Sequence, residues 1–248
     1  MGHNIQAACA SHIGKIRKKN EDNFCFNGNH LEMDNDGITG LFELNEKLSD
    51  KIYFAVFDGI GGENFGEVAS YAAVERILDF EFDAQRIAEL KDVVSELNIA
   101  VVKQQQKFLT DRMGTTMASI HFSKNNAIVC NVGDSRVYRY RRGRLLQLSV
   151  DHNERHFNCQ SDKTGLTQYL GMDPEEVLIE PHILKRKFES GDIYLLCTDG
   201  LSGMLTDFEI CDILSKGNNV GEMTDKLIAS ALENGGRDNV TAIVCLIK

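Results

Sequence analysis

The sequence predicts a layered sandwich of antiparallel β-sheets flanked by helices, and three observations predict it. Short apolar runs carry an aspartate at one edge, as buried strands ending at the rim of a sheet do. The helical stretches fall as an early pair and then, after further strands, a short and a longer one, with no regular βαβ alternation. A glycine turn between two strand-like runs calls for antiparallel pairing.

The elements follow in chain order. Residues 52–57 form an apolar run before Asp58 and read as a buried strand. Helical periodicity then covers about 65–82 and 87–108. Residues 127–132, the turn Gly133-Asp134-Ser135 and residues 136–140 read as a hairpin. The arginines that follow it (Arg139, Arg141, Arg142 and Arg144) read as a solvated strand and turn rather than a phosphate groove. Residues 193–197 are the next buried strand, leading to Asp199. Thr206 and Glu209 have the capping-box spacing, so a short helix starts at Thr206. A helix over 220–233 is closed by Gly235-Gly236 as its C-cap, and the strand 240–247 follows Asp238. The least regular segments, 30–50 and 151–163, read as loops.

With 248 residues, 42% hydrophobic and only two prolines, the chain has enough apolar content to fold, and one domain over 1–248 is the expectation. A net charge of −10 argues against nucleic acid or an anionic membrane as the main partner. No segment reaches the ~18 apolar residues of a membrane span. Seven cysteines are scattered with no C-x-x-C pair, which disfavours zinc and a disulfide framework. Cys25, Cys130, Cys197 and Cys245 lie in apolar runs, where free thiols suit a reducing cytoplasm.

The chemistry is carried by carboxylates. Asp58 precedes Gly59-Ile60-Gly61-Gly62, where glycines let the backbone turn sharply against whatever the aspartate binds. Thr198-Asp199-Gly200, Arg237-Asp238-Asn239 and Asn20-Glu21-Asp22 add three more acidic sites. Carboxylates with no histidine or cysteine beside them select hard cations, hence Mg²⁺ or Mn²⁺. Two such ions ~3.5 to 4 Å apart can share a hydroxide nucleophile and neutralise phosphoryl oxygens, which suits phosphate ester hydrolysis.

Six motifs occur in order: Arg17-x-x-Asn20-Glu21-Asp22, Asp58-Gly59-x-Gly61-Gly62, Gly114-Thr115-Thr116, Gly133-Asp134-Ser135-Arg136, Thr198-Asp199-Gly200-Leu201 and Asp238-Asn239-x-Thr241. On these the chain resembles the type 2C metal-dependent serine/threonine protein phosphatases in their bacterial single-domain form. The resemblance implies an α+β fold, a four-layer α/β/β/α sandwich of two antiparallel sheets flanked by helix pairs. It implies that Asp58 bridges two Mn²⁺ or Mg²⁺ ions, the Gly59 carbonyl binds one, and Asp199 and Asp238 bind the other. Glu21 and Asp22 would act through metal-bound water, and Arg17 would grip the substrate phosphate. Asp134 would bind a third, weaker metal with Asp199 shared. The implied substrates are phosphoserine and phosphothreonine in proteins, and the implied partners a serine/threonine kinase and its targets. Gly114-Thr115-Thr116 is expected to pack the sheet, and His152 to be structural.

Two features depart from the family pattern. Ile60 stands where many members have histidine or methionine and Glu63 where they have histidine, so that turn offers no imidazole acid, and either metal-bound water replaces it or leaving-group protonation is slow. The segment between His152 and Leu166 is shorter than the usual flap, and Asp162 is the candidate there for a further metal ligand. The competing expectations are a catalytically weak or inactive phosphoprotein-binding module of the same fold, and a phosphatase of small metabolites or of one signalling protein.

Overall fold

The long apolar runs become strands buried on both faces. In the computed structural model, which describes residues 2–38, 40–49, 51–60, 65–80, 87–123, 125–154 and 165–248, the strands are β1 (Asn4–His12), β2 (Asn23–Phe26), β3 (Phe42–Lys47), β4 (Tyr53–Phe57), β5 (Gly59–Ile60), β6 (Gly114–Thr115), β7 (Met117–Ser123), β8 (Asn126–Val132), β9 (Arg136–Arg141), β10 (Arg144–Gln147), β11 (His182–Lys187), β12 (Ile193–Cys197) and β13 (Val240–Ile247). The helices are α1 (Gly66–Leu78), α2 (Ile87–Phe108), α3 (Asp199–Ser202), α4 (Asp207–Lys216) and α5 (Val220–Glu233).

One sheet runs β10-β9-β12-β13-β1-β3 and the other β11-β8-β7-β4-β2, all pairs antiparallel; β5 and β6 form a separate short ribbon. Successive strand residues point to opposite faces, so each run divides between two cores. Phe54 and Val56 of β4 enter the core between the sheets, with Phe24, Phe122, Tyr194 and Ile243. Tyr53, Ala55 and Phe57 turn outward beneath α1 and α2, against Val74 and Leu97. On the other side Leu195 of β12 and Val244 of β13 lie beneath α4 and α5, against Ile210 and Leu227. Two sheets, each covered by a helix pair, make the expected four layers. Both faces are apolar because both are covered, which is why these strands read as unbroken apolar runs.

The helix termini follow local chemistry. Thr206 and Glu209 form the complete capping box that starts α4, each side chain bonding the other's backbone N–H. α5 ends at Glu233, and the N–H groups of Gly235 and Gly236 return to the carbonyls of Leu232 and Ala231. α1 stops at Leu78, short of the predicted residue 82; residues 81–86 lie outside the described residues.

Three expectations are corrected. β8 and β9 are not a hairpin: β8 pairs with β7 and β11 in one sheet, β9 with β10 and β12 in the other. Gly133-Asp134-Ser135 therefore carries the chain across the sandwich. Two apolar runs around a glycine turn look the same in sequence whether they pair with each other or with separate partners. The segment 30–50 also contains a strand, β3, on the edge of the larger sheet against β1. Its sequence, Phe-Glu-Leu-Asn-Glu-Lys, is half polar because only Phe42 and Leu44 reach the core, as suits an edge strand. The arginine cluster, finally, is not simply solvated: Arg141 donates two bonds to the buried carboxylate of Asp192 and one to Glu189, tying the β9 edge to the turn before β12.

Cys9, Cys25, Cys130, Cys197 and Cys245 are buried free thiols, and burial pushes Cys130 and Cys197 up to about 12, so neither is a nucleophile at neutral pH. Among the described residues no helix is long and apolar enough to cross a membrane.

Candidate metal centre

Strand register gathers the acidic motifs at one end of the sandwich. His12 at the end of β1 faces Val240 at the start of β13, and Cys197 at the end of β12 faces Ala242. In the other sheet Asn23 at the start of β2 faces Phe57 at the end of β4, and Met117 at the start of β7 faces Val132 at the end of β8. Asp22, Asp58, Asp134, Asp199 and Asp238 each lie within two residues of one of these ends, although they are spread over 217 positions of sequence.

Asp22 is the most enclosed, with 1% of its surface exposed. Its Oδ2 accepts from the Thr198 and Thr241 hydroxyls at 2.8 and 2.7 Å, while its Oδ1 is buried with no hydrogen-bond partner. Thr241 is held in turn by Ser11 at 2.9 Å, and Asn20 donates to the Ser11 hydroxyl. Burial first raises the Asp22 carboxyl, and the charges of Asp238 and Asp199 add to it; the two threonine hydroxyls oppose the rise, leaving a value of about 8.

Asp58 is fixed through its backbone. Its carbonyl accepts from the Thr116 N–H and the Thr115 hydroxyl, both at 2.9 Å, and its N–H donates to Thr116 Oγ1. Thr116 Oγ1 also bonds Ser135 across the crossing from β8 to β9. Burial, then Asp199, Asp22, Asp134 and Asp238, raise the Asp58 carboxyl well above the usual range. Asp134 is pushed up to about 7 by burial, then by Asp199 and Asp151. The charges of Asp22, Asp134, Asp199 and Asp238 all act on Asp58, in keeping with their common position at one end of the sandwich.

Asp199 occupies the first turn of α3, and Gly200 brings that turn against the Asp238-Asn239 backbone; a Cβ at residue 200 would stand 1.8 Å from the Asn239 carbonyl oxygen. Arg17 donates to Asp238 Oδ2 at 2.6 Å and stands 3.7 Å from Glu21. Glu21 is raised by burial despite Arg17, with the Glu67 and Asp238 charges contributing. Glu67, in the first turn of α1, bonds Lys19 through one oxygen and keeps the other buried and unpartnered. Sequence reading missed Glu67, and it took Thr115 and Thr116 for packing alone; the threonines' motif was visible, but their contact with Asp58 spans 57 and 58 positions.

Does this centre suit hard divalent cations? The donors are carboxylate oxygens and a nearby backbone turn at Gly59, and the unpartnered Asp22 and Glu67 oxygens lack the positive charge or hydrogen bond that burial demands. Among the described residues no three His, Cys, Asp or Glu side chains are arranged to hold an ion by themselves. Hard cations answer both points, since Mg²⁺ and Mn²⁺ keep several waters and take few direct protein ligands. Ile60 pairs with Gly114 in the β5–β6 ribbon. Gly61, Gly62, Glu63 and Asp162 lie outside the described residues. His152 accepts the Gly133 N–H on Nδ1 at 3.1 Å and returns its own N–H to the Gly133 carbonyl, so it braces the Asp134 turn.

Residues 42–237 match the family profile described as Protein phosphatase 2C. The chain is 29% identical to the serine/threonine phosphatase stp of Listeria welshimeri, over 93% of this chain and 91% of that one. Its fold superposes on the crystal structure of the Mycobacterium tuberculosis serine/threonine phosphatase PstP/Ppp with a TM-score of 0.78, at 28% identity and 98% coverage of both chains. It likewise resembles the catalytic domain of the serine/threonine protein phosphatase PstP crystallised with two manganese ions, with a TM-score of 0.76, 29% identity and 99% coverage of both chains.

Proposed function

The chain belongs to the protein phosphatase 2C family, and on that premise we propose that it hydrolyses phosphoserine and phosphothreonine in proteins with two divalent cations, Mn²⁺ or Mg²⁺, held at the acidic end of the sandwich. The observation that carries this is the enclosed Asp22 carboxylate, whose second oxygen has no partner, at the end of the sandwich where the strands also bring Asp58, Asp134, Asp199 and Asp238. Asp58 would serve both ions, the Gly59 carbonyl would bind one of them and Asp199 and Asp238 the other, with Glu21 and Asp22 acting through water. Asp134, beside Asp199, is the candidate for a third and weaker ion. When bound, such cations supply a water that ionises near neutral pH and offset the charge of the phosphoryl oxygens.

The protein's own part is positioning and charge. Thr115 and Thr116 hold the Asp58 backbone, so its carboxylate is presented from a rigid strand end. Thr198 and Thr241 favour ionised Asp22. Arg17, exposed at the rim, has the planar fork that grips two phosphate oxygens and would orient the ester for displacement. Residue 60 is isoleucine, so that position offers no imidazole acid for the departing serine or threonine oxygen. The expected partners are phosphorylated proteins, including a serine/threonine kinase and its targets, in the cytoplasm.

The deciding experiment measures phosphate release from a phosphothreonine peptide with Mn²⁺, with chelator, and with Asp199→Ala. Metal-dependent release that the variant loses supports the reading. No release from folded protein at any Mn²⁺ concentration overturns it in favour of a phosphoprotein-binding module.

A further inference from the structure

Between β1 and β2 the chain exposes five consecutive residues, Lys15, Ile16, Arg17, Lys18 and Lys19. A basic run is usually solvated surface, yet two features set this one apart. It is clamped. Asn239, 3% exposed, donates from Nδ2 to the carbonyls of Ile13 and Lys19, both at 2.8 Å, and accepts the Glu21 N–H on Oδ1 at 2.8 Å. The Lys15 N–H donates to the Gly236 carbonyl at 2.7 Å, and Gly14, at φ +86°, lets the loop lie where a Cβ would be 2.2 Å from the Asp238 carbonyl oxygen. The loop is thus fastened at both ends to the segment bearing Asp238.

The second feature is charge. In a protein of net charge −10, four cations stand together on the lip of the acidic centre. Arg17 is engaged with Asp238 and Lys19 with Glu67. Among the described residues no carboxylate pairs with Lys15 or Lys18, and Ile16 leaves 68% of its surface in solvent. The backbone clamp holds in place an exposed isoleucine and two lysines that no described carboxylate pairs with, and so presents them to an external surface.

We propose that residues 15–19 form a substrate-reading rim, which selects phosphoproteins with acidic residues beside the phosphorylated serine or threonine. Lys15 and Lys18 meet the flanking carboxylates, and Ile16 meets an apolar neighbour of the phosphorylated residue. The inference rests on the phosphatase reading above and adds the class of sequence that the centre accepts. Charges at such a rim act on encounter and on choice of partner, and salt screens them.

The test compares kcat/KM for two phosphothreonine peptides, one flanked by glutamates and one by lysines, with p-nitrophenyl phosphate as a substrate that has no flanks. The wild type should prefer the acidic peptide by about tenfold at low salt, and the preference should shrink at ~0.5 M salt. In the double variant Lys15→Glu/Lys18→Glu the ratio of acidic to basic peptide should fall below one. Ile16→Asn should lower the ratio of a leucine-flanked to a glycine-flanked peptide. Equal use of acidic and basic peptides by the wild type, or a preference that survives the double variant, overturns the rim while leaving the phosphatase reading intact. If p-nitrophenyl phosphate and all peptides are untouched with Mn²⁺ present, the phosphatase reading fails and takes the rim with it.

Discussion

Gly200 lies so near Asn239 that a methyl group on it would overlap the Asn239 carbonyl oxygen, at 1.8 Å. Both groups are backbone, so no rotamer change relieves the clash. Alanine in place of a helical glycine ordinarily gains up to about 1 kcal/mol, but here overpacking wins. Gly200→Ala should cost ~2 kcal/mol, lowering Tm by about 4–8 °C for a chain of this length. It should also weaken Mn²⁺ binding, because Asp199 and Asp238 are the residues pushed apart. Gly165, where an added Cβ would meet no described residue within 4 Å, should take alanine without these losses. An unchanged melting curve for Gly200→Ala would show that α3 is free to move.

Thr241→Val removes one of the two hydroxyls on Asp22 at nearly constant volume. A hydrogen bond to a charged group contributes about 1.5–3 kcal/mol, so ionised Asp22 becomes harder to form. Mn²⁺ titrations followed by electron paramagnetic resonance should show about tenfold weaker binding at pH 7, recovered in part at pH 8.5. Equal affinities at both pH values would remove Asp22 from the metal centre.

Metal and pH are linked through the same carboxyls. Asp22 and Asp134 stand at about 8 and about 7, and Asp58 is also raised. A folded-state pKa above the unfolded value means stability that is present in full at low pH and lost as pH rises through the folded value. Chelated protein should therefore melt at lower temperature at pH 8.5 than at pH 6, apart from general acid effects below ~pH 5. Mn²⁺ should close the gap, since it neutralises the ionised groups. A chelated protein with the same Tm at pH 6 and 8.5 would contradict this charge balance.

Far from the centre, Asp192 is a buried carboxylate held by Arg141 Nε and Nη2, by the Glu189 N–H and by the Tyr194 hydroxyl. Removing the arginine alone strands a buried charge, so Arg141→Met should destabilise by about 3–5 kcal/mol in urea unfolding. The pair Arg141→Met/Asp192→Leu should regain part of that loss, because it removes the stranded charge but leaves the Glu189 N–H and the buried Tyr194 hydroxyl without their acceptor. Activity on a phosphopeptide should be unchanged in the folded double variant.

Local chemistry makes much of this protein legible from its residues alone. The runs 193–197 and 240–247, the helices 87–108 and 220–233 and the Thr206 capping box depend on burial periodicity and near-neighbour bonds, which a sequence carries directly. The aspartates are visible because they interrupt apolar runs. β3 escapes notice because an edge strand with two inward residues has almost no period to detect. The crossing at Gly133 reads as a hairpin because partner choice is a long-range matter.

What sequence determined, then, was the strands β4, β8, β9, β12 and β13, the helices α1, α2, α4 and α5, and which residue types could hold a hard cation. Tertiary structure alone decided that β8 and β9 belong to different sheets, that Thr115 and Thr116 hold Asp58, and that Asn239 fastens both ends of the Lys15 to Lys19 rim. The physical reason is the distance along the chain: Asn239 bonds Lys19 across 220 positions. A contact of that kind leaves no local period in the residues that make it, and its geometry exists only once both sheets have closed on their shared core.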